Sequence, residues 1–296
     1  MLSAPGESRQ HTAGLTAAAL IAFAANSILC RLALGSAAID AASFTTVRLV
    51  AGAIALVLVG WFRGVPGAPG GGSWVEAFLL FVYAVTFSFA YRSLSAGTGA
   101  LILFSSVQIT MMAAGLRAGE RPAPRVWAGW LLALGGLVGL VLPGLTAPSA
   151  SGALLMGSAG VAWGVYSLRG REATDPVAAT RGNFIRAVAP ALCVSLIGAS
   201  AMHVSPRGIA LAVLSGAAAS GLGYVLWYAA LRGLRATRAA IVQLAVPALV
   251  ATAGVFLLAE PASLRLLVSG TAIMGGVALA VLGRSRTELP RPAESA

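Results

Sequence analysis

The amino-acid sequence predicts an all-α membrane protein with ten transmembrane helices, arranged as two inverted repeats of five helices with both termini in the cytoplasm. Three observations lead to this prediction. Of the 296 residues 58% are hydrophobic and 10% are charged, and the mean hydropathy is +0.88, which leaves a soluble fold without a polar surface. Long apolar runs alternate with arginine-bearing breaks, and landmark residues recur at a shift near half the chain.

Each apolar run can cross the membrane as a helix, since a hydrocarbon core of about 30 Å needs about 20 apolar residues. The runs lack the alternating pattern of barrel strands, whereas a helix satisfies its own backbone donors in lipid. The sequence predicts spans near residues 13–33, 43–62, 74–94, 98–116, 126–142, 152–168, 183–201, 208–231, 237–258 and 265–283.

All 20 basic residues are arginines, and they lie mostly in the predicted loops. The net charge of +11 therefore indicates membrane topology, because a nucleic-acid-binding domain would cluster its basic residues on one polar face. When successive loops are assigned alternately to the two sides of the membrane, 15 arginines lie on the side of the termini and five lie on the opposite side. Since cytoplasmic loops are enriched in basic residues, both ends are predicted to be cytoplasmic, in a bacterial-type inner membrane.

An internal repeat organises the chain. The matched pairs, at shifts of 137 to 140 residues, are Arg31/Arg169, Arg48/Arg186, Tyr91/Tyr228, Glu120/Glu260 and Gly136/Gly276. Five helices per repeat put the second copy into the membrane from the opposite side, and inverted repeats let a central site face each side in turn. The predicted units are a tail (1–12), the two repeats (13–145 and 150–284) and a second tail (285–296).

These features resemble the drug/metabolite transporter superfamily, specifically paired EamA-type domains. Arg48 and Arg186 lie early in the second helix of each half, and Glu120 and Glu260 close each fourth helix, ahead of a glycine-rich fifth helix. In its length and overall character the chain is similar to aromatic amino acid exporters of the YddG type. This resemblance implies a central cavity, export of Phe, Tyr and Trp by alternating access, and a peripheral fifth and tenth helix.

Other functions stay open at this stage. The chain could export other metabolites or drugs, such as nucleosides or cationic toxicants, or could be a non-transporting structural membrane protein. An enzyme is not expected, because the spans contain no HExxH motif, aspartate pair or Cys–His set. We expect neither cofactor nor metal, a small-molecule substrate in a lipid bilayer, and a monomer or weak homodimer.

Polar residues inside spans are candidates for binding a zwitterion near the membrane midplane. Asn26, Gln108 and Gln243 are the main ones, although helix–helix hydrogen bonds, typically worth about 1 kcal/mol, explain them equally well. The carboxylates are expected at span ends, loops and tails, which argues against an acidic proton relay.

Aromatic residues are the second group of candidates, because they would line a cavity for an apolar ring. The candidates are Tyr83, Phe87, Phe104, Trp163, Tyr166, Tyr224 and Trp227. Near span ends an interfacial belt is the preferred interpretation. That interpretation covers Trp61, Trp74, Trp127, Tyr91 and Tyr228.

Two further features concern motion and charge. Pro247 removes a backbone hydrogen bond from the ninth helix and is a candidate hinge, although proline is also tolerated in membrane helices for packing reasons. Arg48 and Arg186 lie about one turn inside their spans. We expect them to snorkel to the headgroups, with attraction of a substrate carboxylate as the alternative.

Overall fold

The computed structural model describes residues 5–62, 71–119, 121–142, 147–234, 239, 242, 243 and 245–282. Ten helices of 14 or more residues lie in this part of the chain. They are α1 (Pro5–Gly35), α2 (Ala41–Phe62), α3 (Trp74–Ala90), α4 (Ala96–Arg117), α5 (Pro124–Val141), α6 (Ala150–Gly170), α7 (Pro176–Ile197), α8 (Pro206–Leu231), α9 (Ala245–Leu258) and α10 (Leu264–Leu282). In the described ranges β pairing is limited to one isolated bridge, between Ile39 and Val204, so the all-helical prediction is confirmed there.

The helices carry apolar side chains on the outside of the bundle. α1, α2, α4 and α8 are long and apolar enough to cross a membrane, and shorter apolar helices lie within α3, α5, α9 and α10. Phe62, Ile197 and Phe256 are among the large apolar side chains that lie exposed. A soluble monomer rarely exposes so much apolar surface, so the surface of this bundle fits a lipid environment.

Local sequence signals set most helix starts. The hydroxyls of Ser73, Ser95 and Ser149 each accept a hydrogen bond from a backbone N–H in the first turn of the following helix. Asp175 does the same for α7, which begins at Pro176. The helix therefore begins at Pro176, ahead of the predicted span of residues 183–201, with the proline at a favoured first helical position.

Helix contacts repeat when the two halves are exchanged. α3 packs on α6, and its counterpart α8 packs on α1; in the same way α4 packs on α6, and α9 packs on α1. α2 packs against α7, while α5 and α10 pack mainly against each other. The peripheral position of α5 and α10 agrees with the expectation from the family resemblance.

The crossing of α5 and α10 uses two glycines that are matched between the repeats. A Cβ atom on Gly136 would lie 2.9 Å from the Ser269 carbonyl oxygen, and one on Gly276 would lie 2.6 Å from the Ala133 nitrogen. Any side chain at either position would push the backbones apart, so both residues must lack a Cβ atom for this close approach.

One end of the bundle, here called the Asp40 end, joins the two halves through loop contacts. The Asp40 carboxylate accepts hydrogen bonds from the backbone N–H groups of Ser43 (2.9 Å) and His203 (3.1 Å). Burial raises the pKa of the Asp40 carboxyl, but these hydrogen bonds lower it by more, so the pKa lies below its ordinary value. The contacts hold the end of α1 and the start of α2 against the loop before α8.

The other end is called the Glu76 end. There the Asn183 side chain of α7 accepts from the Ser73 N–H (3.0 Å) and donates to Glu76 of α3 (3.0 Å). At the Asp40 end, Ser93, which follows α3, contacts Ser149 at the start of α6 (2.8 Å). The end of α1 also lies at the Asp40 end, so α1 ends where its counterpart α6 begins.

Candidate substrate-binding site

Aromatic rings from five helices meet in the middle of the bundle. We call this group the central aromatic cluster. It consists of Phe23 of α1, Tyr83 and Phe87 of α3, Trp163 and Tyr166 of α6, Phe184 of α7, and Tyr224 and Trp227 of α8. Every member is buried, so the cluster combines rings from both halves away from lipid and water.

Trp163 lies at the centre of this cluster. Its ring centroid lies 4.5 Å from Tyr224, 5.2 Å from Tyr83 and 5.2 Å from Phe23. Tilted and edge-to-face arrangements at these separations are favourable for aromatic pairs. The same faces would accept the ring of a solute if the helices moved apart.

Six of the aromatic candidates from the sequence are in the cluster. They are Tyr83, Phe87, Trp163, Tyr166, Tyr224 and Trp227. Phe104 is buried in α4 but makes no ring contact with the cluster in the described part of the chain. Sequence reasoning missed Phe23, whose mid-span position was the available signal, and Phe184, which lies at the start of the predicted span 183–201 but inside the helix Pro176–Ile197.

Of the five residues assigned to an interfacial belt, three lie on the surface and two lie inside the bundle. Trp61, Trp74 and Trp127 are exposed on the surface. Tyr91 and Tyr228 are fully buried, against Phe87 (4.8 Å) and Tyr166 (5.4 Å) respectively. Their place inside the bundle depends on glycines, because a Cβ atom on Gly99 or Gly170 would overlap the tyrosine ring.

Arg48 lies beside the cluster and is 1% exposed. The expectation that Arg48 snorkels to the headgroups was wrong, because its guanidinium is held inside by the bundle. Nε donates to Ser220 Oγ (3.0 Å), and Nη2 donates to the hydroxyls of Tyr224 (2.8 Å) and Tyr83 (3.3 Å). Its repeat counterpart Arg186 is only partly buried and donates to the Gly71 carbonyl (2.8 Å).

Asn26 completes this polar network. Its Nδ2 donates to the Tyr83 hydroxyl (3.2 Å), and its Oδ1 accepts from Ser215 (2.7 Å) and Ser220 (3.4 Å). Asn26 and Arg48 thus share both Tyr83 and Ser220 as partners. The hydrogen-bond donors and acceptors of this network therefore lie directly against the central aromatic cluster.

A π-helical segment of α8, Ser215–Leu222, builds one side of this network. In an α-helix, residues five apart point about 140° away from each other. The i→i+5 hydrogen bonding of a π-helix stacks them instead, which is why Ser215 and Ser220 both reach Asn26. Gly216 allows α8 to approach α2, since a Cβ atom there would overlap the Arg48 carbonyl oxygen.

Gln243 joins the cluster from the turn just before α9. Its Oε1 accepts a hydrogen bond from Trp163 Nε1 (2.8 Å), and its Nε2 donates to the Ala239 carbonyl (3.2 Å). Pro247 has no N–H to offer the Gln243 carbonyl, which accepts from Val246 N instead (3.0 Å). Pro247 therefore lies in the first turn of α9, directly after a tightened turn at Gln243.

Gln108 lies elsewhere. With Ser105 and Trp130 it lines a cavity of about 10 Å³ between α4, α5 and α10. Gln108 Oε1, Ser105 Oγ and Trp130 Nε1 are buried there without hydrogen-bond partners. The structure thus separates Gln108 from Asn26 and Gln243, with which the sequence analysis had grouped it.

Salt bridges in the described ranges lie at the two ends of the bundle. At the Asp40 end Arg31 Nε is 3.0 Å from Glu260 Oε1, and Glu260 also accepts from the Ala96 N–H (2.8 and 3.0 Å). At the Glu76 end Arg169 Nε is 3.6 Å from Glu76 Oε1. The carboxylates of the described ranges from residue 10 onward lie at helix ends or in loops, as predicted; they are those of Asp40, Glu76, Glu172, Asp175 and Glu260.

An open cleft lies at the Glu76 end. Its volume is about 520 Å³, and its lining includes Gly60, Asp175, Arg181 and Arg232. Gly60 is about 18 Å along α2 from Arg48 at 1.5 Å per residue. The cleft is therefore separate from the central aromatic cluster.

Comparison with known proteins agrees with this fold. The sequence profile described as the EamA-like transporter family matches residues 12–142 and again 150–282. An uncharacterized protein of Pseudomonas aeruginosa is 50% identical over 277 residues, covering 93% of this chain and 96% of that protein. An uncharacterized transporter of Archaeoglobus fulgidus is 27% identical over 244 residues, covering 78% and 84%. A solved crystal structure shares the fold, with a TM-score of 0.67 at 22% identity, covering 91% of this chain and 99% of that one.

Proposed function

This chain belongs to the EamA-like transporter family, and we propose that it exports aromatic and other apolar amino acids by alternating access. As a family member it is a multi-pass membrane protein that acts on small molecules. The central aromatic cluster, backed by the network of Asn26 and Arg48, is the observation that supports this choice of substrate. It offers ring faces and charged or polar groups side by side, as an aromatic amino acid requires.

Alternating access is supported by the arrangement of the two repeats. α1 ends at the end of the bundle where α6 begins, which is the geometry expected of inverted repeats. Because the cluster is buried, helices must separate before a solute can reach it.

The salt bridges suggest how the Asp40 end and the Glu76 end of the bundle open and close in turn. Arg31 and Glu260 pair at the Asp40 end, and their repeat counterparts are Arg169 and Glu120. Glu120 lies outside the described residues. We propose that Arg169 and Glu120 pair when the Asp40 end is open, whereas Arg169 contacts Glu76 in the present conformation.

The remaining assignments follow from the arginine distribution and the repeat. We propose ten spans in a bacterial inner membrane, with the Glu76 end and both termini in the cytoplasm. The units are the repeats at 13–145 and 150–284 with short tails, acting as a monomer or weak homodimer. The turn before Pro247 is a suitable position for a hinge, because the proline has already removed a backbone bond there.

Counterflow of labelled phenylalanine in proteoliposomes tests this function. We expect uptake by the purified protein and a loss of about tenfold in initial rate for Trp163→Ala, from the lost ring contacts, at roughly 1.4 kcal/mol per factor of ten. Trp127→Ala is the matched control, because Trp127 lies on the surface. Uptake of nucleosides or cationic compounds without phenylalanine would contradict the amino acid assignment, and uptake of nothing would favour a structural role.

A further inference from the structure

The Arg48 guanidinium has one nitrogen without a partner. Nε and Nη2 make hydrogen bonds to Ser220, Tyr224 and Tyr83, but Nη1 is fully buried and makes none. Buried donors are almost always paired in folded proteins. Nη1 is therefore the one guanidinium nitrogen of Arg48 that remains available to an acceptor entering the site.

The charge of Arg48 is also uncompensated by any described carboxylate. The two salt bridges found in the described ranges are at opposite ends of the bundle, where they involve Arg31 and Arg169. The partners of Arg48 are hydroxyl groups, and its guanidinium carbon lies 5.2 Å from the ring centroids of Tyr83 and Phe87. Neutral groups offset the desolvation of a cation only in part.

We propose that Arg48 binds the carboxylate of the transported solute through Nη1. The proposal rests on the transport function above and adds the chemical class of the substrate. A guanidinium N–H suits a carboxylate because a hydrogen bond between two charged groups is stronger than one between neutral groups. Tyr83 joins the polar network to the central aromatic cluster, since its hydroxyl accepts a hydrogen bond from Arg48 (3.3 Å) and its ring centroid lies 5.2 Å from that of Trp163.

This assignment predicts which solutes are excluded. A buried positive charge repels an amine that lacks a carboxylate, so cationic aromatic compounds are poor substrates. The ammonium group of an amino acid has no described carboxylate in direct contact with the cluster to pair with, since Glu76 is linked to it only through Asn183, which donates to Glu76 (3.0 Å) and to the Tyr166 hydroxyl (3.4 Å). The essential groups are therefore an apolar side group and a carboxylate, and aromatic acids without an amino group also bind.

Binding to the reconstituted full-length protein, followed by tryptophan fluorescence, tests the inference. The probes are L-phenylalanine, 3-phenylpropionate, phenylalaninamide and phenethylamine, with leucine and leucinamide as a non-aromatic pair. We expect the two aromatic acids to bind at least about tenfold more tightly than the amide and the amine, a difference of roughly 1.4 kcal/mol. This comparison uses the unaltered protein and so does not depend on the folding of a variant.

Variants provide the second arm. We expect Arg48→Gln to lose the preference for acids over amides, Arg48→Lys to keep part of it, and Arg186→Gln, the repeat counterpart, to keep all of it. Equal binding of phenylalanine, its amide and phenethylamine would overturn the role of Arg48 while leaving aromatic transport intact. Binding of leucine over leucinamide without any aromatic ligand would instead keep the carboxylate site and overturn the aromatic substrate.

Discussion

Trp163 Nε1 donates a 2.8 Å hydrogen bond to Gln243 Oε1, so the central ring of the aromatic cluster is oriented by the turn that precedes α9. Both side chains are buried. A change in the backbone near Pro247 would therefore be transmitted to a ring that contacts four other aromatic residues in the site.

Gln243→Leu should lower the melting temperature in detergent, because it leaves the Trp163 N–H buried and unpaired at a cost of about 1–3 kcal/mol. Gln243→Glu keeps an acceptor and should restore part of the loss. Thermal unfolding followed by intrinsic fluorescence measures both. An unchanged melting temperature for Gln243→Leu would show that the hydrogen bond adds nothing to stability.

Gln108→Leu is expected to behave differently. Gln108 Oε1 is buried without a partner, so an apolar side chain of similar size removes an unsatisfied group. We expect an equal or higher melting temperature and phenylalanine counterflow within about twofold of the unaltered protein, a change of roughly 0.4 kcal/mol. Loss of counterflow at normal abundance would return Gln108 to the substrate site.

Glu260→Gln should open the Asp40 end, because it removes the charge that pairs with Arg31. Cys30, which precedes Arg31, is fully buried, while Cys193 is exposed. In a Cys193→Ala background, labelling of Cys30 by a membrane-impermeant maleimide should accelerate by about tenfold, equivalent to roughly 1.4 kcal/mol. Glu76→Gln, at the opposite end, is the control and should not accelerate labelling from the Asp40 side; equal rates in all three proteins would contradict a gating role.

Gly216→Ala should destabilise the protein, because the added methyl group overlaps the Arg48 carbonyl oxygen and neither backbone can move without separating α2 from α8. Overpacking of this kind typically costs about 1–3 kcal/mol. Size-exclusion profiles and melting temperatures measure the effect. Gly275→Ala is the matched control, since a Cβ atom there meets nothing within 4 Å, and equal behaviour of the two variants would argue against the close approach.

The Asp40 contacts predict a pH dependence of stability. The pKa of Asp40 is lower in the folded protein, so its carboxylate stabilises the fold above the ordinary value of about 3.9, and this contribution is lost as the pH falls through the lowered pKa. The melting temperature of the unaltered protein should exceed that of Asp40→Asn at neutral pH, and the difference should disappear in strong acid. A difference that persists at the lowest pH would show that the charge is not involved.

The repeat and its matched residues could be predicted because Arg, Glu and Tyr stand out against a background of Ala, Leu and Val. Helix rotation could not be predicted in the same way. In a bundle surrounded by lipid, core-facing and lipid-facing positions are similarly apolar, so the sequence does not show which face of a helix points inward. For this reason two mid-span glutamines, Gln108 and Gln243, looked equivalent although only Gln243 contacts the central aromatic cluster.

The burial of Arg48 was missed for a related reason. An arginine one turn inside a span can reach the headgroups, and only the tertiary structure reveals Ser220 and Tyr224 as its partners. The π-helical segment that positions Ser220 has the sequence SGAAASGL. Small side chains of this kind give no signal that distinguishes one helical hydrogen-bond register from another.

The π-helical segment Ser215–Leu222 divides α8 into two parts that need not rotate together. Adding or removing one residue from a helical turn changes the orientation of everything beyond it by about 100°. If the segment Ser215–Leu222 tightened to α geometry, Tyr224 and Trp227 would swing around the helix axis while Pro206–Leu214 stayed in place. A small local change in backbone hydrogen bonding would then be enough to move Tyr224 and Trp227 away from the middle of the molecule.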